Sequence, residues 1–114
     1  MSLTVHRSDY FNEDFDLQYR WYLREAGEEV AERYFAAVLL TVRDLAQHPG
    51  LGRVRKFQAE ALQGLRSFRV SRPFHRHLIF YRASETELSV ERVMHGTRDL
   101  PGRLQEPPGA RPSP

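Results

Sequence analysis

Three short runs of β-branched and aromatic residues between positions 65 and 96 place the strongest limits on this fold. The runs are LRSFRV, HLIFYR and LSVERVMHG, a composition that suits the half-buried surface of a sheet. Residues 71–74 and 83–86 separate them and carry turn-forming side chains. We therefore expect an antiparallel meander of three strands. Residues 77–82 should form the middle strand because they are apolar on both faces.

Two amphipathic helices are predicted before residue 50. Ser8 or Asp9 can cap the first helix, and Gly27 stands where a helix commonly ends. Pro49 and Gly50 should stop the second helix. Two helices with so short a connection form an antiparallel hairpin, which would cover one face of the sheet. The apolar stripes are Phe11, Phe15, Tyr19 and Tyr22 in the first helix, and Tyr34, Val38, Val42 and Leu45 in the second.

These elements predict an α+β fold of one domain. Residues 3–6 alternate in polarity and should form a first strand, so the expected order is β-α-α-β-β-β, with the hairpin packed on a mainly antiparallel sheet. Residues 51–64 could form a helical turn or an extended lead-in to the next strand. We expect the domain to span residues 1–100. Residues 101–114 contain five Pro and two Gly without apolar periodicity, which predicts an extended or mobile tail unless a neighbouring segment holds it.

The composition excludes several classes of protein. No run approaches the ~18 apolar residues of a membrane span, and the N-terminus lacks the apolar core of a signal peptide. Without cysteine there is no disulfide, thiolate metal site or cysteine nucleophile. The five histidines follow no metal-binding pattern, and no glycine-rich phosphate loop or nucleophile elbow occurs. We therefore expect a cytoplasmic protein with no cofactor, metal or membrane contact.

Positive charge is concentrated in the middle of the chain. Residues 1–50 have a balance of −4 and residues 83–114 of −1, whereas residues 51–82 hold seven Arg and one Lys against Glu60 alone, a balance of +7. A solvated, arginine-rich surface would account for this excess. However, sixteen Arg against one Lys in the whole chain also suits bidentate contact with carboxylate or phosphate. In a basic site of that kind, His95 or Tyr81 could transfer a proton.

The strings DLAQHPGLGR, GLRSFRV, HLIFYR and ERVMHGTRDL, in this order after a helical hairpin, resemble the RelE/ParE superfamily of bacterial toxins. The resemblance covers residues 3–100, and its ending at residues 95–100 is similar to the ParE branch, often labelled plasmid stabilisation proteins. It implies a toxin of a type II toxin–antitoxin module, neutralised by a cognate antitoxin, with a dimer or a heterotetramer with antitoxin as possible assemblies.

The resemblance leaves three functions open. The leading one is inhibition of DNA gyrase, since ParE-type members act on that enzyme. The second is cleavage of mRNA on the ribosome, as in RelE-type members, although those also carry a C-terminal Tyr and this chain has none after Tyr81. The third is an inactive protein with the toxin fold that only binds partners. Candidate catalytic residues for the ribonuclease are Arg53, Arg55, Lys56, Arg66, Arg82 and His95. Candidate partner-binding residues are Arg53, Arg55, Lys56, Arg66, Arg69, Arg82 and Arg98.

Overall fold

The structure is a computed structural model that describes residues 2–96 and 99–110. These residues contain five strands and three α-helices. None of these helices is long and apolar enough to cross a bilayer. In chain order the elements are β1 (Thr4–Arg7), α1 (Asp9–Ala26), α2 (Glu28–Gln47), β2 (Arg53–Val54), a 3-10 turn (Glu60–Leu62), β3 (Arg66–Arg69), β4 (His77–Ala83), β5 (Glu87–His95) and α3 (Leu100–Leu104).

All five strands join one sheet in the order β1-β5-β4-β3-β2. Strand β1 runs parallel to β5, and every other pair is antiparallel. The predicted α+β fold is confirmed, as is the meander with β4 in its middle. The undecided stretch at residues 51–64 contains both alternatives, since it begins with the short edge strand β2 and continues into the 3-10 turn.

The hairpin begins and turns at the predicted residues. The Ser8 hydroxyl accepts a hydrogen bond from the Phe11 amide at 3.0 Å and donates one to the Glu91 carbonyl at 2.8 Å. The same side chain therefore caps α1 and ties its start to β5. Gly27 joins the two helices at a φ of 93°, a conformation that glycine adopts without strain, and its amide donates to the Tyr22 carbonyl at 3.0 Å.

The main core lies between the hairpin and one face of the sheet. Both predicted helical stripes contribute to it, and β4 contributes Ile79 and Tyr81, whereas Phe80 points to the other face. A bulge in β5 shifts the register between β5 and β4. Phe80 pairs with Arg92 and Tyr81 pairs with Val90, which leaves Glu91 between them without a partner position. The buried residues are Phe11, Phe15, Tyr34, Val38, Val42, Leu45, Ala46, Val70, Phe74, Ile79, Tyr81, Leu88, Val90 and Val93.

A smaller second core covers part of the opposite face of the sheet. Its buried members are Leu62, Leu65, Phe80, Met94 and Leu104. The chain after position 100 is not extended throughout its described residues, because Leu100–Leu104 form α3 and Leu104 is buried to 6% exposure. A neighbouring segment does hold the tail, because the Arg92 guanidinium donates to the carbonyl oxygens of Leu104 at 3.2 Å and Glu106 at 2.7 Å.

Candidate partner-binding cleft

An open cleft of about 870 Å³ lies on the sheet face that the hairpin leaves uncovered. Ser67 and Arg69 of β3 pair with Phe80 and Leu78 of β4, so their side chains point to this face, beside the second core. The described residues that line the cleft are Leu51, Arg53, Arg55, Ser67, Phe68, Arg69, His75, Arg76, Leu78, Gly96 and Leu100.

The cleft is strongly basic. Four arginines line it, Arg53, Arg55, Arg69 and Arg76, and none of its described lining residues is acidic. The four guanidiniums come from β2, the segment after it, β3 and the loop before β4, so that four parts of the chain converge here. Like charges held together in a concave surface strengthen the local field and attract an anionic partner.

Arg55 is the most firmly held of the four arginines. Its guanidinium donates to the Ser67 hydroxyl at 3.1 Å and lies 5.2 Å from the centroid of the Phe57 ring. Burial, followed by repulsion from Arg53, lowers the pKa of Arg55. A positive charge that is partly desolvated and repelled by its neighbour gains more from an incoming carboxylate than a fully solvated one.

One wall of the cleft depends on the turn at residues 49–52. The Tyr81 hydroxyl donates to the Pro49 carbonyl at 2.7 Å and accepts from the Gly52 amide at 2.8 Å. Arg66 donates to the Gly52 carbonyl at 2.7 Å. A Cβ on Gly52 would lie 2.4 Å from the Tyr81 hydroxyl oxygen, which explains the glycine at this position. Tyr81 is completely buried and both of its hydrogen bonds are made, so it is not placed to transfer protons.

Arg82 also serves the fold. Its guanidinium donates to the Glu91 carboxylate and to the carbonyl oxygens of Ala61 at 2.8 Å and Gln63 at 3.1 Å. These bonds fasten the segment around the 3-10 turn over the second core. Because Arg82 is paired with an acid of the neighbouring strand, its charge is not free to meet a partner.

His95 lies on the other face of the sheet. It pairs with His77, whose ring packs edge-on against it at 5.4 Å and whose Nε2 is 3.0 Å from the Tyr22 hydroxyl of α1. Burial, then the positive charges of Arg76 and Arg103, lower the pKa of His95. Within the described ranges, no three His, Asp or Glu side chains come together as ligands for a metal ion.

The structure therefore brings together only part of the predicted sites. Arg53, Arg55 and Arg69 meet in the cleft, whereas Lys56 is exposed and is not one of the residues that line it. Arg98 lies outside the described residues. His75 and Arg76, which sequence reasoning did not include, complete the cleft. The predicted turn before β4 could have indicated both residues, because a turn between antiparallel strands places its residues beside the end of β3.

This chain matches one family model and is similar in fold to two solved structures of toxin–antitoxin systems. Residues 5–100 match the family model of the ParE toxin of type II toxin–antitoxin systems, parDE. No curated protein matches the chain. A chain of the chromosomal ParDE toxin–antitoxin system from P. aeruginosa is 19% identical, with a TM-score of 0.68 over 84% of this chain and 98% of that one. A chain of the RelBE2 toxin–antitoxin complex from Mycobacterium tuberculosis is 19% identical, with a TM-score of 0.58 over 84% of this chain and 100% of that one.

Proposed function

Because the chain belongs to the ParE toxin family of type II toxin–antitoxin systems, we propose that it inhibits DNA gyrase until a cognate antitoxin occupies the basic cleft. The observation that carries the antitoxin site is the convergence of four arginines without an acid among the described lining residues. The gyrase target is supported by the match to the ParE model and by the separation of the candidate ribonuclease residues.

The cleft suits an acidic, amphipathic peptide segment. Each of its guanidiniums can donate two hydrogen bonds to one carboxylate in a bidentate pair. Between them lie apolar side chains, including Leu51, Phe68 and Leu78, of which Leu51 is 49% exposed. A segment that alternates acidic and apolar residues would neutralise the arginines and cover this apolar surface at once. Electrostatic attraction of this kind accelerates association more than it slows dissociation.

The ribonuclease alternative receives little support from the geometry. Arg82 is engaged by Glu91 and two carbonyl groups, Arg66 holds Gly52, and His95 lies across the sheet from Arg53. A general acid or base must come within hydrogen-bonding reach of the proton it moves, and its contribution to the rate is typically about 10²–10⁴-fold. Of the described histidines, His75 lines the cleft, whereas His95 lies near Arg76 but is not one of the lining residues.

The antitoxin site is tested by kinetics of association with the cognate antitoxin. Arg53→Glu combined with Arg69→Glu should slow association and reduce its dependence on salt, because both side chains line the cleft. The matched control reverses Arg20 and Arg24, two exposed arginines of α1, and changes the net charge equally. Equal rates for the two double variants would contradict the proposed site.

The target is tested by two assays on the same protein. We expect the wild-type chain to inhibit supercoiling by purified gyrase and to leave a translated message intact in primer extension. His95→Ala should inhibit gyrase as strongly as the wild type. Codon-phased cuts in the message that disappear in His95→Ala and Arg82→Ala, with normal supercoiling, would instead establish the ribonuclease.

A further inference from the structure

The outer face of α2 is unusually apolar for a surface helix. Phe35 is 42% exposed, Leu39 36% and Leu40 44%, and the exposed Ala36 lies among them. Positions three and four residues apart are neighbours on a helix, so these four side chains form one continuous patch. A helix at the surface of a monomer normally turns charged and polar residues outward. A compact apolar patch on such a face therefore indicates a contact with another molecule.

The patch is a firm platform. The Phe35 ring stacks on the Phe15 ring of α1 with 5.1 Å between centroids, and it meets the Tyr19 ring edge-on at 6.0 Å. The inner edge of the patch is thereby fixed against the hairpin while its outer surface stays exposed. A pre-ordered apolar surface loses little conformational freedom when a partner covers it.

The residues of the patch are arranged symmetrically about the midpoint of α2. Phe35 and Leu40 stand at equal distances from that midpoint, and so do Ala36 and Leu39. If a second copy of α2 packed antiparallel on the first, Phe35 of one helix would lie level with Leu40 of the other. Ala36 would likewise lie level with Leu39. A two-fold axis at the midpoint would therefore bring the two apolar patches into register along their whole length.

Charges at the two ends of the patch follow the same symmetry. Glu32 and Arg43 are exposed and also stand at equal distances from the midpoint. Glu32 accepts a hydrogen bond from the Tyr19 hydroxyl, which directs its carboxylate, and no acid within the described residues pairs with Arg43. In an antiparallel pair each Glu32 would meet the Arg43 of the other copy.

We infer that the outer face of α2 is a homodimer interface in which two copies of this helix pack antiparallel. A second copy fits this face because its own Arg43 and Glu32 would meet the Glu32 and Arg43 of the first copy. The interface is separate from the basic cleft, which lies on the far side of the sheet from the hairpin. A result against this interface would therefore not contradict the proposed function, and a result against the proposed function would not contradict this interface.

Sedimentation equilibrium of the full chain, made by cell-free translation without antitoxin, measures the dimer directly. We expect a reversible monomer–dimer equilibrium. Leu40→Asp should raise the dimer dissociation constant by at least about tenfold. Leu23→Asp is the matched control, because Leu23 is a similarly exposed leucine, at 41%, on α1. It should leave the dissociation constant unchanged.

Charge reversal tests the antiparallel arrangement itself. Glu32→Arg and Arg43→Glu should each weaken the dimer, because each places like charges at both ends of the patch. The combination of the two changes should restore it. A chain that stays monomeric up to millimolar concentration would overturn the inference. So would equal weakening by Leu40→Asp and Leu23→Asp, or a combined variant that dimerises no better than either single one.

Discussion

The Arg92 guanidinium and the Asp14 carboxylate form a buried bidentate ion pair that joins β5 to α1. Nε of Arg92 is 2.8 Å from Oδ2 of Asp14, and Nη2 is 3.0 Å from Oδ1, with side-chain exposures of 7% and 8%. The Asp14 carboxylate also accepts a hydrogen bond from the Val93 amide at 3.2 Å. Val93 lies beyond Val90, the last residue of β5 that pairs with β1. Because Arg92 in turn holds the chain after α3, this pair connects the hairpin, the sheet and the tail.

Breaking this pair should destabilise the protein strongly. In Asp14→Ala the Arg92 charge stays buried without its counterion, which typically costs about 3–5 kcal/mol of unfolding free energy. Asp16→Ala is the control, since Asp16 pairs with Arg20 on the exposed side of α1 and such pairs contribute roughly 0–1 kcal/mol. Urea denaturation of both variants gives the two values. Similar losses would mean that the buried pair contributes no more than the exposed one.

Phe80→Ala should severely destabilise or unfold the domain. Phe80 is completely buried in the second core, and truncating a buried phenylalanine costs about 3–5 kcal/mol. Thermal unfolding followed by circular dichroism measures the change. A melting temperature within about one degree of the wild type would refute the placement of Phe80 in a core.

Stability should fall on mild acidification because of His77. Burial, with a smaller effect from His95, lowers the pKa of His77 to about 4, whereas an unfolded histidine has a pKa of about 6.5. The unfolded chain therefore binds a proton at a higher pH than the folded chain does. The stabilisation from a neutral His77 is complete above about pH 6.5 and is lost progressively down to about pH 4, by up to about 3 kcal/mol.

Urea titrations between these pH values isolate the contribution of His77. His77→Gln cannot be protonated, so its unfolding free energy should change less steeply over this range than that of the wild type. His48→Gln removes an exposed histidine and should retain the wild-type slope. If His77→Gln kept the wild-type slope, His77 would not be the group responsible.

Gly52→Ala should destabilise the turn that borders the cleft. The added Cβ would lie 2.4 Å from the Tyr81 hydroxyl oxygen, so the turn or the tyrosine must move, and overpacking of this kind costs about 1–3 kcal/mol. Gly50→Ala, two residues earlier, is the control because a Cβ there meets nothing within 4 Å. Denaturation midpoints distinguish the two variants. Equal midpoints would show that the turn or the Tyr81 side chain moves aside from the added Cβ at little cost in stability.

Local sequence determined the secondary structure that nearby residues can specify. The Ser8 cap, the turn at Gly27 and the helical stripes all depend on residues within a few positions of one another, so their pattern is visible in the chain. The apolar character of residues 78–81 likewise identified the central strand of the meander. A set of matching strings in the right order also sufficed to indicate the family.

Long-range contacts decided which arginines remain available for a partner. In the sequence Arg66, Arg69, Arg82 and Arg92 are equivalent strand or strand-end arginines. In the structure Arg92 pairs with Asp14, 78 positions away, and Arg82 binds carbonyl groups of a segment about 20 positions away, while Arg69 lines the cleft. Composition and spacing carry no information about such partners, because only the folded arrangement of the sheet, hairpin and tail brings them within hydrogen-bonding distance.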